Sequence, residues 1–101
     1  MEERYVFRQL FDPLNETLIY VFISSKVNLQ LYEKIVEKSS RIPKEAKVYI
    51  ITNEIDLPSN LSNKLREIGI IIDDLKFANK EEALEKFRKY YGLKLKTKSN
   101  L

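Results

Sequence analysis

Residues 17–23 read TLIYVFI and residues 47–52 read KVYIIT, and these two stretches decide the fold. Both are rich in β-branched and aromatic residues, which favour β-strands. Neither alternates regularly between apolar and polar positions, so each strand is expected to be covered on both faces. Strands with this pattern are typical of parallel sheets that carry helices on their faces.

One helix is expected before the second strand and one after it, because apolar residues recur in both segments at spacings of three and four. Asn28 is a candidate N-cap for the first helix. The apolar face of this helix carries Leu31, Tyr32, Ile35 and Val36. The second helix opens at Pro58, and Gly69 is its expected C-terminal cap. Its apolar side carries Leu57, Leu61, Leu65 and Ile68.

A third strand and a third helix follow. Residues 70–72, all isoleucine, form the strand, and Asp73-Asp74 closes it. Asn79 and Glu82 have the spacing of a capping box, in which each side chain bonds the other residue's backbone N–H. The helix ends at Gly92, and its apolar stripe carries Ala83, Leu84, Phe87, Tyr90 and Tyr91.

The N-terminal segment is the most ambiguous part of the chain. Residues 4–11 read RYVFRQLF, and Tyr5, Val6 and Phe7 favour a strand that pairs with residues 17–25 as a hairpin. Val6 and Leu10, four residues apart, would also suit a short helix. Residues 12–16 are the expected turn, because Pro13 restricts φ and Asp and Asn side chains bond nearby backbone.

The order of elements predicts one α/β domain over residues 1–92, with two or three layers. An N-terminal hairpin precedes β-α-β-α-β-α, and the sheet is mainly parallel. Residues 93–101 form a basic C-terminal tail, which is either a short edge strand or a frayed end.

The composition excludes several kinds of chemistry. The 101 residues include no cysteine and no histidine, which removes disulfides, thiolate metal sites and Ser-His-Asp catalysis. With two glycines there is no dinucleotide-binding or P-loop motif. We therefore expect no cofactor, no metal site and no catalytic residues, and a binding protein in preference to an enzyme.

Location and habitat are also expected from the composition. Lys, Glu and Ile dominate, which resembles the usage of thermophile proteins, although an AT-rich genome would have a similar effect. No apolar run reaches the roughly 18 residues of a membrane span. Residues 1–4 are acidic and do not resemble a signal peptide, so a cytoplasmic protein without a membrane partner is expected.

Polar residues follow the apolar strands and mark one candidate site. In open parallel sheets, ligands bind beyond the carboxyl ends of the strands. The residues of this candidate ligand rim are Ser24, Ser25, Lys26, Thr52, Asn53, Asp73 and Asp74. The alternative is that these residues are polar only because strands must exit into water.

Positive charge marks a second candidate site. The overall net charge is +3, with +3 in residues 26–50 and +5 in residues 76–101. Lysines there would meet phosphates and tyrosines would stack on unpaired bases. The candidate nucleic-acid-binding residues are Lys86, Lys89, Tyr90, Tyr91, Lys94, Lys96 and Lys98. The alternative is that a tyrosine closes the core while the lysines solubilise the last helix.

Two further functions remain open. The chain could be a protein-interaction or homodimerisation module, because a short sheet leaves edges that need covering. Tyr5, Phe7 and Phe11 are the candidate surface for a second copy or another protein. A weaker alternative is a small-ligand sensor that uses the strand-exit rim.

Three stretches resemble the restriction-endonuclease-like (PD-D/E-x-K) superfamily: VFISSK at 21–26, VYIITN at 48–53 and IGIIIDDL at 68–75. The resemblance covers residues 12–76. It implies that Lys26 matches the motif lysine and Asp12 the upstream aspartate, while Ser24 stands where that family has its metal-binding glutamate. The resemblance implies a degenerate member, and the alternative is a Rossmann-like or receiver-like domain that shares only the topology.

We therefore expect no cleavage of plasmid or oligonucleotide with Mg²⁺ or Mn²⁺. A serine at position 24 cannot supply the charged oxygen that such an ion needs. A nuclease assay with each metal checks this expectation. Metal-dependent cleavage that disappears in Lys26→Ala would contradict it.

Overall fold

The computed structural model describes residues 5–92 and the backbone of Lys94 and Leu95. Its elements are β1 (Val6–Asp12), β2 (Thr17–Val27), α1 (Leu29–Ser39), β3 (Lys47–Ile55), α2 (Ser59–Glu67), β4 (Ile70–Asp73), α3 (Lys80–Tyr91) and β5 (Lys94–Leu95). The predicted order of elements is confirmed. Residues 6–12 form a strand, so the helical alternative for the N-terminal segment is wrong.

One sheet contains all five strands in the order β4-β3-β2-β1-β5. β2 pairs in parallel with β3, and β3 pairs in parallel with β4. β1 pairs antiparallel with β2 and with β5, which meets β1 at Leu10 and Phe11. The predicted hairpin, and the parallel pairing of the two strands that decide the fold, are both confirmed.

Helices cover both faces of the sheet, which makes three layers. α3 packs on one face through Ala83 and Phe87, against side chains of β1, β2 and β3. α1 and α2 pack on the other face through Leu31, Ile35 and Leu65. The two faces follow from the alternation of side chains along each strand. In β2, Val21 and Ile23 point to α3, and Phe22 points to α1 and α2.

Local polar contacts fix the ends of the elements. Asn28 caps α1 by accepting the backbone N–H of Leu31 at 3.0 Å. Asn79 caps α3 by accepting the N–H of Glu82 at 2.8 Å. Glu82 in return accepts the N–H of Ala78, one residue earlier than a capping box requires. Gly92 follows α3 with a φ of 64°, a left-handed conformation that glycine adopts without a steric cost.

Three expectations about burial are wrong in detail. Ile68 lies past the end of α2 and is 54% exposed, because the helix stops at Glu67. Tyr90 is 80% exposed and is not part of the apolar stripe of α3. Lys47, the first residue of β3, is exposed, because the helices cover the middle of this strand and not its start. No helix in residues 5–92 is long and apolar enough to cross a membrane.

We predict that the amides of Val21, Ile23, Val48 and Ile50 exchange with deuterium most slowly. Their side chains are buried in the two central strands, and such amides exchange only through openings close to global unfolding. Native-state hydrogen exchange checks this prediction. Exchange of these amides as fast as that of the hairpin turn at residues 13–16 would contradict it.

Candidate functional site

The predicted ligand rim is divided between the two faces of the sheet. Ser24 and Thr52 are direct neighbours in the β2–β3 register, and both side chains are buried on the α1–α2 face. Asp73 is aligned with Ile51 and therefore lies on the α3 face. The structure thus does not bring the rim residues together at one point.

The hydroxyl groups of the rim are engaged with their own strands. Ser24 donates to the carbonyl oxygen of Lys26 at 2.9 Å, and Thr52 donates to that of Glu54 at 2.9 Å. These bonds compensate for the burial of the two hydroxyls. Ser25, Lys26 and Asp74 are exposed.

Asn53 joins the end of β3 to the segment that leads into α3. Its side-chain amide donates to the carbonyl oxygen of Phe77 and accepts the Phe77 backbone N–H, both at 3.0 Å. The ammonium of Lys76 donates to the carbonyl oxygen of Asn53 at 2.9 Å. Asn53 therefore holds the residues between β4 and α3 in place.

Asp12 is the last residue of β1, beside the start of β2, and Lys26 lies near the far end of β2. Asp12 pairs with Thr17, and Lys26 is farther along the same strand, a separation of about 30 Å at the rise of a β-strand. The Asp12 carboxylate accepts the backbone N–H groups of Leu14 and Asn15 in the hairpin turn. A hydrogen bond from the Asn15 side chain is the main cause that lowers the pKa of Asp12. The two residues therefore cannot share one metal site.

A metal centre has no other support in the described chain. Within residues 5–92 there is no group of three or more acidic side chains that could hold an ion.

A groove between α3 and β4 brings several candidate residues together. Its volume is about 650 Å³. It is lined by Asp73, Leu75, Lys86, Phe87, Lys89, Tyr90 and Tyr91. Four of these were predicted to bind nucleic acid, and Asp73 was predicted as part of the rim. The groove exists because α3 covers β1 to β3, and β4 contributes no buried residue to the core on that face.

The backbone of Lys94, another candidate residue, does not lie at this groove. The backbone of Lys94 lies in β5 beside Phe11, at the opposite edge of the sheet from β4. The side chain of Lys94, together with Lys96 and Lys98, lies outside the described residues.

An aromatic cluster forms the wall and base of the groove. The Tyr91 ring lies 4.7 Å from that of Phe87 and 5.6 Å from that of Tyr49, measured between centroids. The Tyr90 ring meets Tyr91 edge-on at 4.9 Å. Tyr91 is 38% exposed, so it both closes the core and faces the groove. Tyr90 is held by a ring on one side and is open to solvent on the other.

Charge in the groove is mixed. The Lys86 ammonium lies 3.2 Å from the Glu82 carboxylate and 3.4 Å from the carbonyl oxygen of Lys76. These contacts limit where the ammonium can lie, while half of the side chain stays exposed. Lys89 lies one turn further along α3, on the same side of the helix. Asp73 supplies a carboxylate from β4.

The hydroxyl groups of Tyr49 and Tyr91, two members of this aromatic cluster, are neutral at physiological pH. Burial raises the pKa of the Tyr49 hydroxyl, and the Tyr91 hydroxyl beside it adds to the rise. Burial also raises the pKa of Tyr91, with the Asp73 carboxylate as the next cause. Because an ordinary tyrosine pKa is already near 10, the phenols keep their protons. They add no negative charge that would repel an anionic ligand.

Leu75 and Phe87 also line the groove, although neither was predicted as a site residue. Phe87 was predicted as core, and it also reaches the groove. Leu75 carries no local signal, because its position depends on how the segment between β4 and α3 crosses the sheet. Comparison with family models, with curated proteins and with solved structures found no match to this chain.

We predict that Asn53→Ala lowers the free energy of unfolding by about 1–3 kcal/mol, because two hydrogen bonds to Phe77 are lost. Chemical denaturation measures the change. Asn60→Ala is the matched control, because Asn60 is exposed on α2 and its loss is expected to change stability by less than about 0.5 kcal/mol. Equal effects of the two substitutions would contradict the role given to Asn53.

Proposed function

We propose that this protein is a non-catalytic binding domain that takes up single-stranded nucleic acid in the groove between α3 and β4. The observation that supports this proposal is the combination of Lys86, Lys89 and the exposed Tyr90 on one wall of the groove. Proteins bind unpaired strands through two features, cationic side chains that contact phosphates and aromatic rings that stack on bases.

Tyr90 supports the proposal through its exposure. The ring is 80% exposed, yet its edge-on contact with Tyr91 restricts its orientation. A large aromatic face held towards solvent loses little side-chain freedom when a base stacks on it. Stacking on an aromatic side chain contributes about 1–3 kcal/mol per base.

The lysines add the electrostatic part of the binding. Lys86 and Lys89 lie one turn apart on α3, a spacing that suits neighbouring phosphates or one phosphate approached from two sides. Each phosphate contact releases counterions from the nucleic acid, so binding weakens as salt rises. The salt dependence of affinity therefore reports the number of lysines involved.

Asp73 determines which side of the groove the bases of the bound strand occupy. Its carboxylate would repel phosphate, and it can accept a hydrogen bond from an amino group on a base edge. The sugar-phosphate backbone is therefore expected on the α3 side and the base on the β4 side. Bases in a duplex already have their faces stacked and their pairing edges used, which favours an unpaired strand.

We predict that Tyr90→Ala weakens binding of a single-stranded oligonucleotide about 5–150-fold, which is the loss of one stacked base. Tyr90→Phe keeps the ring and is expected to bind like the parent. Fluorescence anisotropy with labelled oligo-dT and oligo-rU at low salt measures both. Because Tyr90 is exposed, the two variants should fold equally well.

The same assay over a range of salt tests the lysines. Lys86→Gln and Lys89→Gln should each reduce the salt slope by about 0.7 for a single strand. Lys64→Gln is the control, because Lys64 lies on α2 at the other face of the sheet. A variant with Lys94, Lys96 and Lys98 all changed to Gln measures how much the C-terminal tail contributes to oligonucleotide binding. Equal binding by the parent, Tyr90→Ala and the groove lysine variants, or no binding by the parent at low salt, would overturn the proposal.

A further inference from the structure

Asp73 brings a carboxylate with no partner of its own into the groove. It is the last residue of β4, and its alignment with Ile51 directs its side chain to the face that α3 covers. The side chain is partly buried. Within residues 5–92 its carboxylate forms no hydrogen bond and no ion pair. A partly buried acceptor gains most from a ligand that donates hydrogen bonds to it.

The groove lysines leave the Asp73 carboxylate uncompensated. The Lys86 ammonium lies 3.2 Å from the Glu82 carboxylate, on its own helix. It also lies 3.4 Å from the carbonyl oxygen of Lys76. The negative charge of Asp73 reaches the aromatic cluster, where it is the second cause, after burial, that raises the pKa of Tyr91. The groove therefore combines a free anionic acceptor with the rings on which a base would stack.

The hydrogen-bonding edge of the base determines how well it fits such an acceptor. An ionised carboxylate has two oxygens that accept hydrogen bonds and no group that donates one. Guanine has two adjacent donors on its pairing edge, the ring N1–H and the exocyclic amino group. Adenine and cytosine have one amino group beside an acceptor nitrogen. Thymine and uracil have one N–H between two carbonyl oxygens, which a carboxylate would repel. Unpaired strands leave these edges free to be read.

We infer that the groove selects guanine, with the Asp73 carboxylate accepting hydrogen bonds from N1–H and the amino group of the base that stacks on Tyr90. This inference rests on the proposed function and adds a base preference to it. Lys86, Lys89 and the stacking ring attract any single strand, because phosphates and ring faces are common to all nucleotides. Asp73 distinguishes one base from the others.

Pentanucleotides with a single base test the preference. The central position carries guanine, hypoxanthine, adenine or thymine, and the other four positions are abasic, so only one base can occupy the groove. Competition against labelled oligo-dT at low salt gives each dissociation constant. The guanine probe is expected to bind about 5–150-fold more tightly than the thymine probe, the usual discrimination of a bidentate contact. Hypoxanthine lacks the amino group of guanine and should bind at least about fivefold more weakly than guanine.

Asp73→Asn tests whether the carboxylate causes the preference. The side chain keeps its size, but its amide has one acceptor and donates on the other side. The guanine-to-thymine ratio of affinities is expected to fall to within about twofold. The thymine probe should bind at least as tightly as it binds the parent, because a charge that repels phosphate is removed. A loss of folded protein would weaken both probes equally and leave their ratio unchanged.

Asp74→Asn is the matched control. It removes the same charge one residue further along the chain, from an exposed side chain that does not line the groove. Its guanine-to-thymine ratio should equal that of the parent.

The outcomes separate this inference from the proposed function. Equal binding of the guanine and thymine probes by the parent, or the same ratio in Asp73→Asn and the parent, would overturn the guanine preference. The groove would then still be a single-strand site if Tyr90→Ala weakens binding of oligo-dT. Absence of binding to oligo-dT and to every probe at low salt would overturn both.

Discussion

The parallel pairing of β2 with β3 is the contact on which the rest of the structure depends. The ladder runs from Ile19 opposite Lys47 to Val27 opposite Ile55, along most of both strands. Its central residues contribute to the apolar cores on both faces. Burial of apolar surface on two sides is the largest favourable term available to so small a domain. The hairpin, the edge strand and the helices all attach to this pair.

The groove follows from how unequally the two faces are covered. Two helices share the face that carries Phe22 and Ile50, so β4 is covered there through Ile70. A single helix, α3, covers the other face, and one helix is about 10–12 Å wide against a strand spacing of about 4.8 Å. It therefore cannot cover every strand. β4 is left out, and the side chains of α3 that point towards it form a wall above Asp73.

The polar residues near the carboxyl ends of the strands mainly hold the chain together. The hydroxyls of Ser24 and Thr52 bond backbone carbonyl groups two residues on, and Asn53 bonds both polar groups of the Phe77 backbone. Through Asn53, the end of β3 determines the path of the segment that precedes α3. The position of Lys86 and Tyr90 over the groove thus depends indirectly on a hydrogen-bonded amide at the strand end.

Much of the fold was determined by the sequence alone. Unbroken apolar runs at residues 17–23 and 47–52, the cap at Asn28 and the glycine at 92 are local signals, and each acts over a few residues. They specify element types, the parallel core and the hairpin, because backbone preference and side-chain periodicity are local properties. The tertiary structure decided which residues meet. It brought Asp73 to Lys86, separated both from Lys94, and left Tyr90 and Ile71 exposed. Periodicity marks an apolar face, but only the packing of α3 across the sheet decides where that face stops being covered.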